Sequence, residues 1–182
     1  MPINFTKADN INPLYSNCFH FEIKSLPHVS GMAQRFNMPG LNLGRAMQTS
    51  GNLDFPIPGD KITYEDLEIA FLVDENLENF MEIFHWMMYL GFARDTKQFY
   101  ELYQGTTRFT ETSDILLSVT TNKMNSNRII HFVDAFPVVL TPVEFSNVDD
   151  AATPMTASAM FAYKYYYFEK QDETLDGAIK IG

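Results

Sequence analysis

A single cysteine, Cys18, stands among 182 residues, so no disulfide can form within the chain. That suits a reducing compartment without requiring one. Basic residues are scarce: 13 Lys and Arg face 23 Asp and Glu, for a net charge of −10 and a pI near 4.7. Nucleic-acid binding draws on clustered Lys and Arg that displace counterions, so a phosphate backbone or an anionic membrane is a disfavoured ligand. Long apolar runs are missing too. The longest, Ala135 to Leu140, has six residues, against the roughly 20 of a membrane helix. The first 15 residues lack a basic start followed by an apolar stretch, so no signal peptide is expected.

Catalytic and metal-binding motifs are also lacking. His20, His28, His85 and His131 show no ligand spacing to one another or to a cysteine, and are read as satisfied or surface histidines. Cys18 and His20 share a strand face, but a nucleophilic thiol also needs an orienting group in a cleft, so Cys18 reads as structural. There is no G-x-S-x-G, and Gly40–Gly44 (GLNLG) lacks the Lys-Ser/Thr of a phosphate cradle. Adjacent acids at Glu65, Asp66 and Glu68, at Asp74 and Glu75, and at Asp149 and Asp150 read as a solvated face and helix-start charges. No catalytic residue, metal or cofactor is expected.

Apolar material is plentiful. Hydrophobic residues make up 46% and aromatics 14%, with 16 Phe, 9 Tyr, 1 Trp and 10 Met. This length and composition suit one globular domain with a sizeable core and a possible subunit interface. Residues 18–24 alternate, with Phe19, Phe21 and Ile23 on one face. Leu26–Gly31 reads as a turn and Ala33–Met38 as a short strand stopped by Pro39-Gly40. Residues 41–60, with Gly44, Gly51, Pro56, Pro58 and Gly59, read as a long excursion, either a hairpin or an extended loop with edge strands. Residues 63–73 alternate, with Leu67, Ile69, Phe71 and Val73 opposite Asp66, Glu68, Ala70 and Leu72.

One helix is expected over about residues 75–90, capped by Asp74 or Asn76 and ended at Gly91, with an apolar stripe of Leu77, Phe80, Met81, Phe84, Met87 and Met88. Residues 92–112 read as a loop, 113–121 and 128–133 as a hairpin, 134–145 as a bent strand, and Asn147–Pro154 as a loop. The last strand, 155–168, is expected to carry Phe161, Tyr163, Tyr165 and Tyr167 on one side and Tyr166 and Phe168 on the other. The order of strands, one helix and more strands predicts a mainly β domain, a small antiparallel barrel or sandwich with one flanking helix. Its bounds are 18–168, between an N-terminal arm (1–17) and an acidic C-terminal tail (169–182). Acidity is concentrated in 61–90, where Lys61 faces seven acids.

Two blocks resemble the tail-tube protein family of contractile-tailed bacteriophages. The first is Ile57-Pro58-Gly59-Asp60, then Tyr64 to Glu75 and the helix to Leu90. It is similar to the family's G-D-x-T-Y/F-x-D-W/L-x-V-x-V strand with its acidic turn and amphipathic helix. The second is Phe136-Pro137 to Phe145 and the closing strand ending Tyr165-Tyr166-Tyr167. The family's usual strand tryptophan is Leu67 here, and the arm and tail look longer than a minimal tube domain.

The resemblance implies a barrel of the kind shared with type VI secretion tubes. Six copies would form a ring, and rings would stack into a hollow conduit inside a contractile sheath. DNA would pass down the lumen without specific binding, and no catalysis would occur. Partners would be further copies of the chain, the tail sheath, and baseplate and tail terminator proteins, with no membrane. The protein would reside in the virion tail after assembly in the host bacterial cytoplasm. By the same analogy Asp66 and Glu68 would face the lumen, and Gly44, Gly51, Asp54, Pro58, Gly59 and Asp60 would lie in a ring-stacking loop. Phe161, Tyr163, Tyr165, Tyr166 and Tyr167 would serve core or subunit contacts. A baseplate tube initiator or hub of the same fold is the alternative; a monomeric barrel holding a small apolar ligand is a more distant one.

Overall fold

Alternating apolar residues build nine strands in the computed structural model, which describes residues 13–91, 95, 97, 100, 101, 104, 109–123, 125–146 and 154–170. Most of the 92–112 and Asn147–Pro154 loops, residues 1–12 of the arm and residues 171–182 of the tail lie outside the described residues. In chain order the elements are β1 (Phe19–Ile23), α1 (Pro27–Met32), β2 (Ala33–Asn37), β3 (Leu41–Ser50), β4 (Leu53–Tyr64), β5 (Leu67–Leu72), α2 (Glu78–Leu90), β6 (Ser113–Thr120), β7 (Ser126–Leu140), β8 (Thr156–Ala162) and β9 (Tyr165–Lys170).

Seven strands form one sheet in the order β1-β6-β7-β8-β5-β2, with β9 also on β7 and every pair antiparallel. The sheet folds over on itself because β7 changes partner along its length. Its first half pairs with β9, from Arg128 opposite Lys170 to Val133 opposite Tyr165. Its second half pairs with β8, from Phe136 opposite Ala162 onward. Asp134 sits at the change with φ of 54°, a left-handed value that a non-glycine residue adopts at a cost. Its carboxylate accepts from Thr112 Oγ1 at 3.3 Å and lies 3.9 Å from Lys164 Nζ. Phe21, Ile23, Leu67, Ile69, Phe71, Ile115, Leu117, Phe132, Ala157, Ala159 and Phe161 point inward and form one core. The mainly β, antiparallel expectation holds. The barrel stays open between β1 and β2, the two ends of the strand path, so sandwich describes it better.

Among the described residues, helix occurs where the sequence predicts none: Lys97, Tyr100 and Glu101 are helical within the segment 92–112 read as a loop, and a further short helix precedes β2. The segment read as a turn winds into α1, with Pro at its start, Val29 fully buried, and Ser30 Oγ donating to the Leu26 carbonyl at 3.0 Å. The helix expected from residue 75 begins at Glu78. Asp74 does cap it, from farther upstream than a usual N-cap: its carboxylate accepts from the amides of Glu78 (2.7 Å) and Asn79 (3.4 Å). Leu77, at the N-cap itself, takes φ of 59°.

The buried side of α2 is rotated from the expected stripe. Asn79, Glu82, Ile83 and Trp86 are buried, while Met81 (45% exposed) and Phe84 (40%) face outward. Trp86 sets this orientation. Its ring lies 6.4 Å from that of Phe161, and its indole N–H donates to the Thr110 carbonyl at 2.7 Å. Polar residues on the same side have partners: Asn79 Nδ2 donates to the Leu72 carbonyl at 2.6 Å, and Glu82 Oε1 lies 2.8 Å from His28 Nδ1 on α1. An apolarity count alone could not favour Asn79 and Glu82 over Met81 and Phe84.

β2 continues through Met38-Pro39-Gly40 into β3, and β4 continues through Glu65-Asp66 into β5. Residues 33–72 are thus one long bent hairpin whose root belongs to the sheet and whose far half leaves it as a two-stranded ribbon. The bend is clasped. Gly40 N–H donates to Glu65 Oε2 at 3.1 Å, the Glu65 amide to the Gly40 carbonyl at 3.2 Å, and Tyr163 O–H to the Glu65 carbonyl at 2.9 Å. Rings of Tyr64, Tyr163, Tyr166 and Phe132 stack edge-on and tilted around it, with centroids 5.1–6.1 Å apart. Burial pushes the Tyr163 phenol well above its ordinary value, and the neighbouring Tyr166, Tyr64, Asp66 and Glu65 push the same way.

Replacing Trp86 by Phe keeps an aromatic ring against Phe161 but removes the donor to Thr110. A loss of ~1–2 kcal/mol is expected in urea unfolding, with an unchanged far-ultraviolet spectrum. A second expectation concerns alkali. The unfolded chain releases the Tyr163 proton near pH ~10, whereas the folded chain holds it to higher pH. This contribution to stability is therefore whole below about pH 10 and falls as pH rises beyond it. Unfolding midpoints measured across that range should fall less steeply in Tyr163→Phe than in the parent.

Candidate assembly surfaces

The ribbon is the most exposed apolar feature of the described chain. β3 and β4 pair from Leu41 opposite Tyr64 out to Ser50 opposite Leu53. The tip is a two-residue loop in which Gly51 takes φ of 63°, as the first position of a II′ hairpin turn requires. Midway, the register shifts after Leu43. There a Cβ on Gly59 would sit 2.7 Å from the Gly44 carbonyl oxygen, so the backbones can close only with glycine. On one side of the outer half, Phe55 and Ile57 stand opposite Gln48 and Ala46, with Leu53 beyond them. Leu53 is 60% exposed, Phe55 48% and Ile57 41%. The other side carries Met47 beside Pro56 and, nearer the root, Leu41, Leu43 and Ile62, all exposed. No described part of the same chain covers either side.

All six positions expected in a stacking loop lie on this ribbon: Gly44 in β3, Gly51 at the tip, and Asp54, Pro58, Gly59 and Asp60 in β4. The segment is strand throughout rather than loop. Leu53, Phe55 and Ile57 were not among the expected contact residues, although their alternation is visible. The intervening Pro56 and Pro58 argue against a strand and obscure it.

The second surface is the outer face of the folded sheet. Leu67, Ile69 and Phe71 are fully buried, and Glu68, Ala70 and Leu72 alternate with them on the other side. Val139, Met160, Glu68 and Asn37 lie abreast across β7, β8, β5 and β2. Both helices send their buried side chains into the core on the opposite side. Glu68 and Asp66 thus share the outward parity expected of them. Asp66 is exposed in the turn before β5, whereas Glu68 lies 3.6 Å from Arg35 Nη2 on β2. The face is accordingly of mixed charge, and so open an ion pair adds little stability.

The final aromatic strand is two strands. A break at Tyr163-Lys164 shifts the alternation, and the expected sidedness holds only before it. Phe161 and Tyr163 face inward. Beyond the break, Tyr166 turns inward against Phe132, while Tyr165 and Tyr167 face outward. Tyr167 stacks flat on His131 with centroids 4.7 Å apart, and His131 Nε2 lies 2.7 Å from Glu169 Oε2. Burial raises the Tyr167 phenol above its ordinary range, and the Glu169 charge adds to the rise. β9 runs to Lys170, two residues into the segment read as tail.

No family model matches the chain. Among individual proteins, the tail tube terminator protein of Enterobacteria phage T4 is 25% identical over 163 residues, spanning 84% of this chain and 89% of that one. Among solved structures, the tube-terminating cap of the anti-feeding prophage superposes with a TM-score of 0.59 at 14% identity, over 93% of this chain and 99% of that one. The sheath/tube terminator of the extracellular contractile injection system PVC gives 0.57 at 13% identity, over 89% and 99%. Similar in sequence to a tail tube terminator and in fold to two tube-terminating proteins of contractile systems, the chain is related to the tail-tube proteins that its motifs resemble.

Proposed function

We propose that this protein is a structural subunit that caps a tail tube, forming a ring on the tube's end in a phage tail or related contractile system. The observation that carries this reading is the likeness to a tail tube terminator along nearly the whole of both chains. The exposed ribbon supports it. Leu53, Phe55 and Ile57 are already about half covered, so burying the rest of each would contribute on the order of 1 kcal/mol, which suits insertion against a neighbouring subunit or the last ring of the tube. Repeating tubes grow through heterologous faces, and a cap needs only one of them. On this reading six copies close the ring, the sheath and tube are neighbours, DNA passes without specific contact, and no chemical step occurs. The outer sheet face with Asp66 and Glu68 lines the conduit.

A second reading, a subunit of the tube itself, is favoured by the ribbon's apolar residues on both sides, which suit a stack that propagates. Electron microscopy separates the two. A cap alone gives single rings, and added to growing tubes of its own phage it decorates one end and stops elongation. Long tubes from the purified protein alone establish the second reading, and a monomer that never touches tubes overturns both.

Two sets of variants sharpen the test. Leu53→Ser with Phe55→Ser should unfold at a temperature near the parent's yet lose end-binding, because both side chains are exposed in the free subunit. Asp66→Lys with Glu68→Lys should leave rings intact and lower infectivity, since a cationic lining would retain passing DNA. Normal infectivity with normal tails removes the conduit assignment.

A further inference from the structure

The ribbon and the helices α1 and α2 leave the sheet at opposite ends. β2 starts at Ala33, directly after α1, and runs toward the ribbon; β5 comes from the ribbon and ends at Leu72, before α2. Ala33 stands opposite Phe71 and Asn37 opposite Glu68, so both strands have the helices at one pole and the ribbon at the other. A cap that meets its tube through the ribbon therefore turns α1 and α2 away from the tube.

The helix pole carries an uncovered face. On α2, Glu78, Met81, Phe84, His85 and Met88 recur at three- and four-residue spacing and share the side opposite to the buried Asn79, Ile83 and Trp86. Met81 and Phe84 are exposed, with His85 and Met88 half-buried beside them. Met32, the last residue of α1, is exposed as well. Methionine side chains adapt their shape to a partner, which suits such a face to docking.

The charges of the helices have one sign. Neither α1 nor α2 contains a Lys or Arg. Asp74, Glu75 and Glu78 gather at the start of α2. Asp74 is engaged by the amides of Glu78 and Asn79. Glu75 and Glu78 are exposed, with His28 Nε2 3.6 Å from Glu78 Oε2. A second copy is a poor match for this combination. It is itself acidic overall, and its apolar ribbon row of Leu53, Phe55 and Ile57 stands opposite Ser50, Gln48 and Ala46, with no cation to meet the two glutamates. The complementary occupant is apolar and basic together.

We propose that the outward face of α2 docks a segment of a neighbouring protein other than this chain, apolar along one side and bearing Lys or Arg where it meets Glu75 and Glu78. Met81 and Phe84 supply the apolar contact, and the glutamates fix the direction in which the segment lies. The proposal rests on the cap reading only for the statement that this face points away from the tube.

Contact is tested in assembled tails. Phe84 is replaced by photoreactive p-benzoylphenylalanine, which keeps an aromatic ring at that position. On irradiation, position 84 is expected to join a different protein, at a segment that mass spectrometry shows to carry Lys or Arg. A join to residues 41–64 of a second copy, a join to a segment without Lys or Arg, or no join at all overturns the proposal. The purified full-length chain gives an independent measurement, with a labelled synthetic amphipathic peptide of Leu and Lys as the probe. Met81→Ser with Phe84→Ser should weaken its binding by about tenfold, and Glu75→Gln with Glu78→Gln by about two- to fivefold. Leu53→Ser with Phe55→Ser should leave it unchanged. Equal binding by the parent and both α2 variants, or a loss confined to the ribbon variant, overturns the proposal. Decoration of tube ends reports on the cap reading by itself: a chain that binds the peptide through α2 yet leaves tube ends bare removes that reading and upholds the docking face.

Discussion

Everything in this domain depends on one strand having two sets of neighbours. β7 pairs with β6 and β9 over its first part, as far as Ala135 and Val133, and with β8 from Phe136 onward, and the exchange happens at the positive φ of Asp134. Were β7 straight, its inward side chains before and after residue 134 would face the same layer, and Phe132 could not share a core with Phe161 and Phe71. An aspartate there costs more than glycine in backbone strain but brings acceptors that glycine lacks, and Thr112 and Lys164 use them. The break at Tyr163-Lys164 on the facing strand answers the same bend. The Lys164 amide donates to the Val133 carbonyl at 3.0 Å, holding the two kinks side by side.

The second constraint is the join between ribbon and barrel. Rows of apolar side chains on a two-stranded ribbon cannot fold by themselves, because a lone hairpin is marginal in water. Here the ribbon borrows its order from β2 and β5, through the Gly40–Glu65 pair and the rings around Tyr163. The direction in which the ribbon projects is thus fixed by core residues, so a projecting contact arm comes with a defined orientation before any partner is met.

Strict alternation made much of this legible. β1 and β6 could be read almost to their ends, and the buried face of β5 too, though not the bend at Glu65-Asp66 before it, because one face is buried and a one-residue slip would expose Phe21, Ile69 or Ile115. The motifs in 57–75 and 136–167 were enough to suggest the family, and the comparisons agree. Three features stayed hidden. The rotation of α2 depends on where Thr110 and His28 arrive in space. The inward turn of Tyr166 depends on a break that no glycine or proline marks. The ribbon's apolar row is interrupted by Pro56 and Pro58, which ordinarily argue for loop. In each case the deciding partner is distant in sequence, and local pattern carries no trace of it.

Those two prolines have a further consequence. An exposed ribbon with apolar side chains is the kind of edge on which stray strands add and fibrils begin. Proline on an edge strand withholds an N–H donor, and edge strands carry it with the missing donor toward solvent. β4 therefore offers a broken template along the stretch that carries the exposed Phe55 and Ile57. The ribbon can thus keep apolar side chains exposed and still be poor at recruiting the backbone of other chains.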